Sequence, residues 1–136
     1  MGQAQTPFRC KLTVWDRAIE LCSAIYALTR KFPRDEIYGL TSQIRRASIS
    51  IPSNIAEGYG RGTREQYKQF LSIAFGSYME LQTQLVLARR LGYIVPTEFE
   101  EVEELASEVG RMLSDMLTRL RISTAEFNTQ TLNSNP

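Results

Sequence analysis

The stretch Gln43–Gly58 constrains the fold more than any other, because it places a proline inside a run that otherwise has the pattern of one long helix. A proline in a helix interior removes an N–H donor and crowds the preceding turn, at a cost of roughly 3 kcal/mol. Ser48, Ser50 and Ser53 lie where their hydroxyls can bond the freed backbone groups. We therefore expect one helix with a kink at Pro52. The alternative is two short helices, the second starting near Pro52.

On an ideal helix this stretch presents three strips. The apolar strip is predicted to face the core and consists of Leu40, Ile44, Ala47, Ile51 and Ile55. Beside it lies a polar strip of Gln43, Arg46, Ser50, Asn54 and Glu57. The strip opposite the core, too apolar for a free surface, contains Tyr38, Arg45, Ile49, Pro52 and Ala56.

Apolar residues at helical spacing divide the chain into four helices. The predicted limits are Leu12 or Thr13 to about Lys31, Arg34–Glu36 to Gly58, an N-cap at Thr63 to a stop at Gly92, and an N-cap at Thr97 onward. The predicted core strip of the first helix is Leu12, Trp15, Ile19, Cys22, Tyr26 and Thr29, flanked by Val14, Leu21, Ile25 and Leu28. The apolar face of the third helix is Tyr67, Phe70, Ala74, Tyr78, Leu81, Leu85 and Ala88.

Short loops between four long helices predict an all-α fold, an up-down-up-down antiparallel four-helix bundle with a proline-kinked second helix. We assign residues 12–122 to this bundle. Residues 1–11 are expected to be a flexible lead-in, and the polar, aromatic-poor residues 123–136 a disordered tail.

The absence of histidine from the chain excludes several kinds of active site. Catalytic Ser-His-Asp and Cys-His groups, HExxH zinc sites and Glu-x-x-His di-iron sites all require it. The glycine-rich Gly58–Gly62 precedes a helix instead of following a strand, so we interpret it as a flexible turn. We expect no enzymatic activity, cofactor or metal.

The polar strip of the second helix and the inward polar side of the third suggest a buried network. Its expected members are Gln43, Arg46, Asn54, Glu57 and Glu80. Paired carboxylates for catalysis are the alternative for Glu57 and Glu80. A structural role is favoured because the neighbouring polar side chains would satisfy both acids.

Positive charge is concentrated in the first half of the chain, although the net charge is only +1. Residues 1–70 carry 11 Lys/Arg against 6 Asp/Glu, a net +5, and residues 71–136 carry 5 against 9, a net −4. The basic excess therefore belongs to the fold and not to a tail. Two cysteines make no disulfide framework, and no apolar run is long enough to span a membrane. With no signal peptide recognised, we expect a cytoplasmic protein without a membrane partner.

The second and third helices each carry a second apolar strip, which predicts self-association. The expected interface residues are Tyr38, Ile49, Pro52, Phe75, Met79 and Val86.

Several motifs resemble one bacterial family. They are Leu12-x-Val14-Trp15-x-x-Ala18, Phe32-Pro33-x-x-Glu36, Gly39-Leu40-x-x-Gln43-x-Arg45-Arg46-Ala47, Ser50-Ile51-Pro52-Ser53-Asn54-Ile55-Ala56-Glu57-Gly58 and Ala74-x-Gly76-Ser77-x-x-Glu80. The chain resembles, over about residues 8–121, the four-helix-bundle family first noticed in intervening sequences of 23S rRNA genes. The accessory variability protein of diversity-generating retroelements is similar to a branch of it. The resemblance implies a homopentamer and, for that branch, binding of nucleic acid and a reverse transcriptase.

Three functions remain open. The first is a non-enzymatic homo-oligomer that binds RNA or DNA, and the second is a protein scaffold, such as an accessory subunit of a retroelement reverse transcriptase. An enzyme using Glu57 and Glu80 ranks last. The expected nucleic-acid-binding residues are Arg45, Arg61, Arg64, Lys68, Arg89 and Arg90. Tyr59 beside Arg61 offers an aromatic platform for stacking.

Overall fold

A computed structural model describes the backbone of residues 12–133 and the side chains of residues 12–121. The chain forms α1 (Thr13–Thr29), a 3₁₀ turn (Arg34–Glu36), α2 (Leu40–Gly60), α3 (Arg64–Arg90) and α4 (Pro96–Asn133). Residues 12–133 contain no strand. The predicted all-α fold is confirmed.

The four helices form an antiparallel bundle in which α1 packs on α2, α2 on α3, α3 on α4, and α4 closes against α1. Contacts between α1 and α4 show the antiparallel direction. Lys31 at the end of α1 pairs with Glu98 at the start of α4, whereas Arg17 near the start of α1 pairs with Glu108 farther along α4. The start of α1, the α2–α3 loop and the middle of α4 therefore lie toward one end of the bundle, which we call the α2–α3 end.

Helix α2 runs through Pro52 without interruption, as the single-helix interpretation predicted. Its predicted apolar strip is buried throughout. Pro52 has no N–H to donate to the carbonyl of Ser48 four residues earlier. The Cys22 thiol of α1 donates to that carbonyl instead, with Sγ and O 3.0 Å apart. The neighbouring helix thus satisfies the acceptor that the proline leaves free.

The serines around the proline do not act as predicted. Ser48 Oγ bonds the Arg45 carbonyl at 2.8 Å, and Ser50 Oγ bonds Ser77 Oγ of α3 at 2.7 Å. Helical position alone did not indicate that a thiol on another helix would reach the freed acceptor.

Two helix starts differ from the prediction. Helix α2 begins at Leu40 because residues 34–36 form a separate 3₁₀ turn, and the Glu36 carboxylate accepts the Leu40 N–H at 2.9 Å. Helix α4 begins at Pro96, before the predicted cap at Thr97. Proline suits the first helical position, where its missing N–H would be unpaired anyway.

Both predicted limits of α3 are confirmed. Thr63 Oγ1 accepts the Gln66 N–H as an N-cap. At the other end Gly92 adopts φ +81°, and its N–H bonds the Arg89 carbonyl at 2.9 Å. The next N–H, of Tyr93, bonds the Ala88 carbonyl at 3.0 Å, which completes a Schellman motif.

Helix α4 continues to Asn133, where the sequence predicted a disordered tail from residue 123. Residues 122–133 contain no glycine or proline to stop it. The predicted lead-in, residues 1–11, lies outside the described residues.

The buried face of α1 is rotated about the helix axis, by about one residue position, from the predicted core strip. Ala18, Leu21 and Ile25 are fully buried, whereas Ile19 is 40% exposed. Trp15, Cys22 and Tyr26 are half-buried at the edges. The helix is apolar on so many sides that its periodicity left the centre of the buried face undefined.

Candidate nucleic-acid interface

The six predicted nucleic-acid-binding residues do not form one patch. Arg45 faces α1 and is half-buried: its Nε donates to Thr29 Oγ1 at 2.8 Å, and its guanidinium lies 4.6 Å from the centre of the Tyr26 ring. It therefore joins α1 to α2 and does not point away from the core as predicted. The prediction failed because the strip opposite the apolar core is partly covered by α1.

The other five cations lie at opposite ends of α3. Arg61, Arg64 and Lys68 surround its start, while Arg89 and Arg90 close it, about 37 Å away along the helix axis. The Arg89 guanidinium lies 4.7 Å from the centre of a phenylalanine ring at the start of α4. The acidic first turns of α4 lie at that same end, so its positive charge is offset.

A groove at the α2–α3 end combines aromatic and basic side chains. It has a volume of about 450 Å³ and is lined by Gly58, Tyr59, Gly62, Thr63, Arg64, Tyr67 and Leu120. We call this set the loop-end groove. The Tyr59 and Tyr67 rings meet edge to face, with centroids 6.3 Å apart. Burial raises the pKa of Tyr67 above its ordinary value, and the neighbouring Tyr59 adds to this rise.

Local backbone features build this groove. A Cβ at Gly58 would lie 2.7 Å from the Phe70 Cβ, so glycine is what lets α2 approach α3 closely here. Gly62 adopts φ +80°, a conformation that glycine takes without strain. Thr63 then caps α3 and sends it back along α2. The tight turn brings Tyr59 of α2 against Tyr67 of α3.

Cations flank the loop-end groove. Arg61 donates from Nη2 to Glu57 Oε1 at 2.8 Å and lies 5.3 Å from the centre of the Phe70 ring. Arg64 is exposed in the groove lining, and Lys68 follows one turn later. Tyr59 was predicted to stack on a base, whereas Tyr67 was predicted to lie on the apolar, core-facing side of the third helix. Tyr67 lies near the tyrosine of α2 because of the turn between α2 and α3, and residue spacing within one helix does not show this contact.

The predicted buried polar network does not exist within one chain. Four of its members, Gln43, Arg46, Glu57 and Glu80, are exposed. Glu57 is 49% exposed and pairs with Arg61. Only Asn54 is half-buried, where its Nδ2 bonds the carbonyl and hydroxyl oxygens of Ser50. Gln43, Arg46 and Glu80 instead line an open cleft of about 370 Å³ between α2 and α3, where they stay exposed.

The predicted interface residues divide in a similar way. Tyr38 is 95% exposed, and Ile49, Met79 and Val86 are 41–51% exposed. Pro52 is buried, and Phe75 is half-buried beside the Tyr78 ring, with centroids 5.6 Å apart. Two further exposed apolar residues of α3, Ile73 and Leu87, were missed.

The part of the chain that the structure describes offers neither a metal site nor a membrane-spanning helix. No group of three or more metal-ligating side chains occurs there. None of its helices is long and apolar enough to cross a membrane.

The sequence model of the 23S rRNA-intervening sequence protein family matches residues 10–115. The chain belongs to this family. The resemblance inferred from the motifs around Pro52 is thereby confirmed at the level of the family. A comparison with curated proteins gives no match.

Among solved structures, the bundle is similar to a protein of unknown function of the S23 ribosomal protein family from Bacteroides thetaiotaomicron. The two share 24% sequence identity, and the alignment covers 77% of this chain and 98% of that one, with a TM-score of 0.72. This likeness shows that the family member described here has the same fold as that protein.

Proposed function

We propose that this member of the 23S rRNA-intervening sequence protein family is a non-enzymatic protein that binds nucleic acid, RNA or DNA, at the loop-end groove. The observation that carries the proposal is one groove lined by Tyr59, Tyr67 and Arg64, with Arg61 and Lys68 beside it. At this groove, three of the cations predicted to bind nucleic acid lie together beside aromatic rings.

Each part of the groove has a matching part in a nucleic acid. Exposed arginine and lysine side chains attract phosphates, and each neutralised phosphate releases counterions. Aromatic side chains stack on unpaired bases with little sequence preference. Tyr59 is 41% exposed, so part of its surface is accessible to such a base.

Self-association would multiply this surface. A homopentamer, which the family resemblance implies, would repeat the loop-end groove in every subunit. Exposed apolar residues on α2 and α3 support an oligomer, since they lie at more than one position on two adjacent helices. The same residues favour a second candidate function, a scaffold for a protein partner such as a retroelement reverse transcriptase.

Fluorescence anisotropy with labelled single-stranded RNA and DNA tests the proposal at two salt concentrations. Affinity should fall steeply with salt and depend weakly on sequence. The double charge reversal Arg64→Glu/Lys68→Glu should weaken binding by about tenfold or more. The matched control is Arg89→Glu/Arg90→Glu, which changes the charge equally at the far end of α3.

Two results would contradict the groove as the binding site. Equal losses in both double variants would show that only net charge matters. Absence of binding at low salt would leave the protein scaffold as the function. A Tyr59→Ala variant adds a separate measure, because it should weaken single-strand binding without changing the salt dependence.

A further inference from the structure

Helix α3 contains an exposed glycine near its middle that no contact among the described residues requires. A Cβ built at Gly76 meets no atom within 4 Å. By contrast, a Cβ at Gly58 would clash with Phe70, and one at Gly110 would lie 2.3 Å from the Tyr78 ring. Glycine weakens a helix interior relative to alanine. Gly76 therefore weakens the interior of its helix without allowing any close packing among the described residues.

Exposed apolar side chains surround Gly76 on the solvent side of α3. Ile73, Met79 and Leu87 are 44%, 51% and 48% exposed. Ile73 and Gly76 are three residues apart and Leu87 follows eleven after Gly76, so all three share one helix face. A small residue between apolar neighbours allows another backbone to approach closely while side chains pack on both sides.

Two charged side chains beside this face form no ion pair among the described residues. Arg46 of α2 and Glu80 of α3 line one cleft of about 370 Å³ but form no ion pair with each other or with another described residue. Glu80 accepts a hydrogen bond from Gln84 Nε2 at 3.2 Å. Gln84 is only 7% exposed, and its Oε1 has no hydrogen-bond partner among the described residues.

We propose that a second copy of this chain docks on the α2–α3 face, with Gly76 at the point of closest approach. The face carries both charges that a copy of itself needs, because an Arg46 guanidinium from one copy matches the Glu80 carboxylate of another. This proposal deepens the self-association in the proposed function and assigns it a specific surface.

Light scattering over a dilution series measures the effect of side chains added at the crossing point. Gly76→Ala should weaken association, and Gly76→Leu should abolish it within the range where wild type associates. The matched control is Gly60→Leu in the last turn of α2, where a Cβ also meets nothing within 4 Å. The control should associate like wild type.

The stability of the monomer should change in the opposite direction to the strength of association. At concentrations where wild type is monomeric, Gly76→Ala should raise the melting temperature, because alanine favours the helix. A variant that gains monomer stability and loses association points to a contact outside the chain. Wild-type association by Gly76→Leu would overturn the proposal, and so would a wild-type monomer mass at every concentration.

Charge exchange provides a test that adds no bulk. Arg46→Glu and Glu80→Arg should each weaken association at least several-fold, and the double variant should recover part of the loss. Absence of recovery would refute the pairing between copies. Nucleic-acid binding by the monomeric Gly76→Leu variant separates the two proposals, because the loop-end groove lies elsewhere and should retain affinity per chain.

Discussion

Removing the Cys22 thiol should destabilise the protein more when residue 52 is proline than when it is alanine. The thiol donates to the Ser48 carbonyl, and Ser48 is fully buried. A net hydrogen bond contributes about 0.5–1.5 kcal/mol, and a buried acceptor left without a partner costs about 1–3 kcal/mol. We expect Cys22→Ala to lower the free energy of unfolding by about 1–2 kcal/mol, including a small packing loss.

In a Pro52→Ala background the new N–H of residue 52 bonds the Ser48 carbonyl directly. Cys22→Ala should then lose only the packing contribution, so the double-mutant cycle should give a coupling of about 1 kcal/mol. Urea denaturation under reducing conditions, at concentrations where the protein is monomeric, measures all four stabilities from the midpoints. Cys22→Ser should retain much of the stability, since its hydroxyl is also a donor. Additive losses, with a coupling below about 0.3 kcal/mol, would refute the explanation of how the bundle accommodates its proline.

Three further variants probe the packing and charges. Gly110→Ala should cost about 1–3 kcal/mol in urea denaturation, because its Cβ would lie 2.3 Å from the Tyr78 ring, and wild-type stability would contradict that contact. Glu57→Ala should change stability by less than about 0.5 kcal/mol, since Glu57 is half exposed and pairs only with Arg61 one turn away; a large loss would restore the buried network. The hydrogen bond from an arginine of α1 lowers the pKa of Glu108 below its ordinary value of 4.5. Its stabilising effect is therefore present above pH 4.5 and is lost as the pH falls through the lower folded pKa, so Glu108→Gln should flatten the acid limb of a stability–pH curve. An unchanged acid limb would show that this pair does not contribute.

The sequence predicted those features that depend on neighbours along the chain. The buried strip of α2, the cap at Thr63 and the stop at Gly92 follow from periodicity and local hydrogen bonding, and all three are confirmed. The orientation of Arg45 could not be predicted in this way. Helical periodicity gives the direction of a side chain relative to its own axis but not which neighbouring helix occupies that direction.

The candidate site was likewise predicted only in those parts that depend on neighbours along the chain. The basic residues near the glycine loop and Tyr59 were identified from local sequence. Tyr67 was assigned to the core because its spacing matches the buried face of α3, and it is indeed half-buried there. Its second role, as the ring against Tyr59, requires the turn that Gly62 makes. Burial of the polar strip was predicted incorrectly because periodicity along one helix does not show that α2 and α3 leave an open cleft beside Gln43, Arg46 and Glu80.

The closure of α4 against α1 has a consequence for the order of folding. The other helix contacts join neighbours in sequence, so each forms by closing a short loop. The α1–α4 contact joins the first and last helices and needs most of the chain to be in place. We expect it to form after the transition state. Truncation of the Arg17–Glu108 pair should then speed unfolding while leaving the folding rate nearly unchanged, as measured in a chevron plot. Unfolding would then begin where α1 contacts α4, and the strength of this contact would set the lifetime of the folded protein.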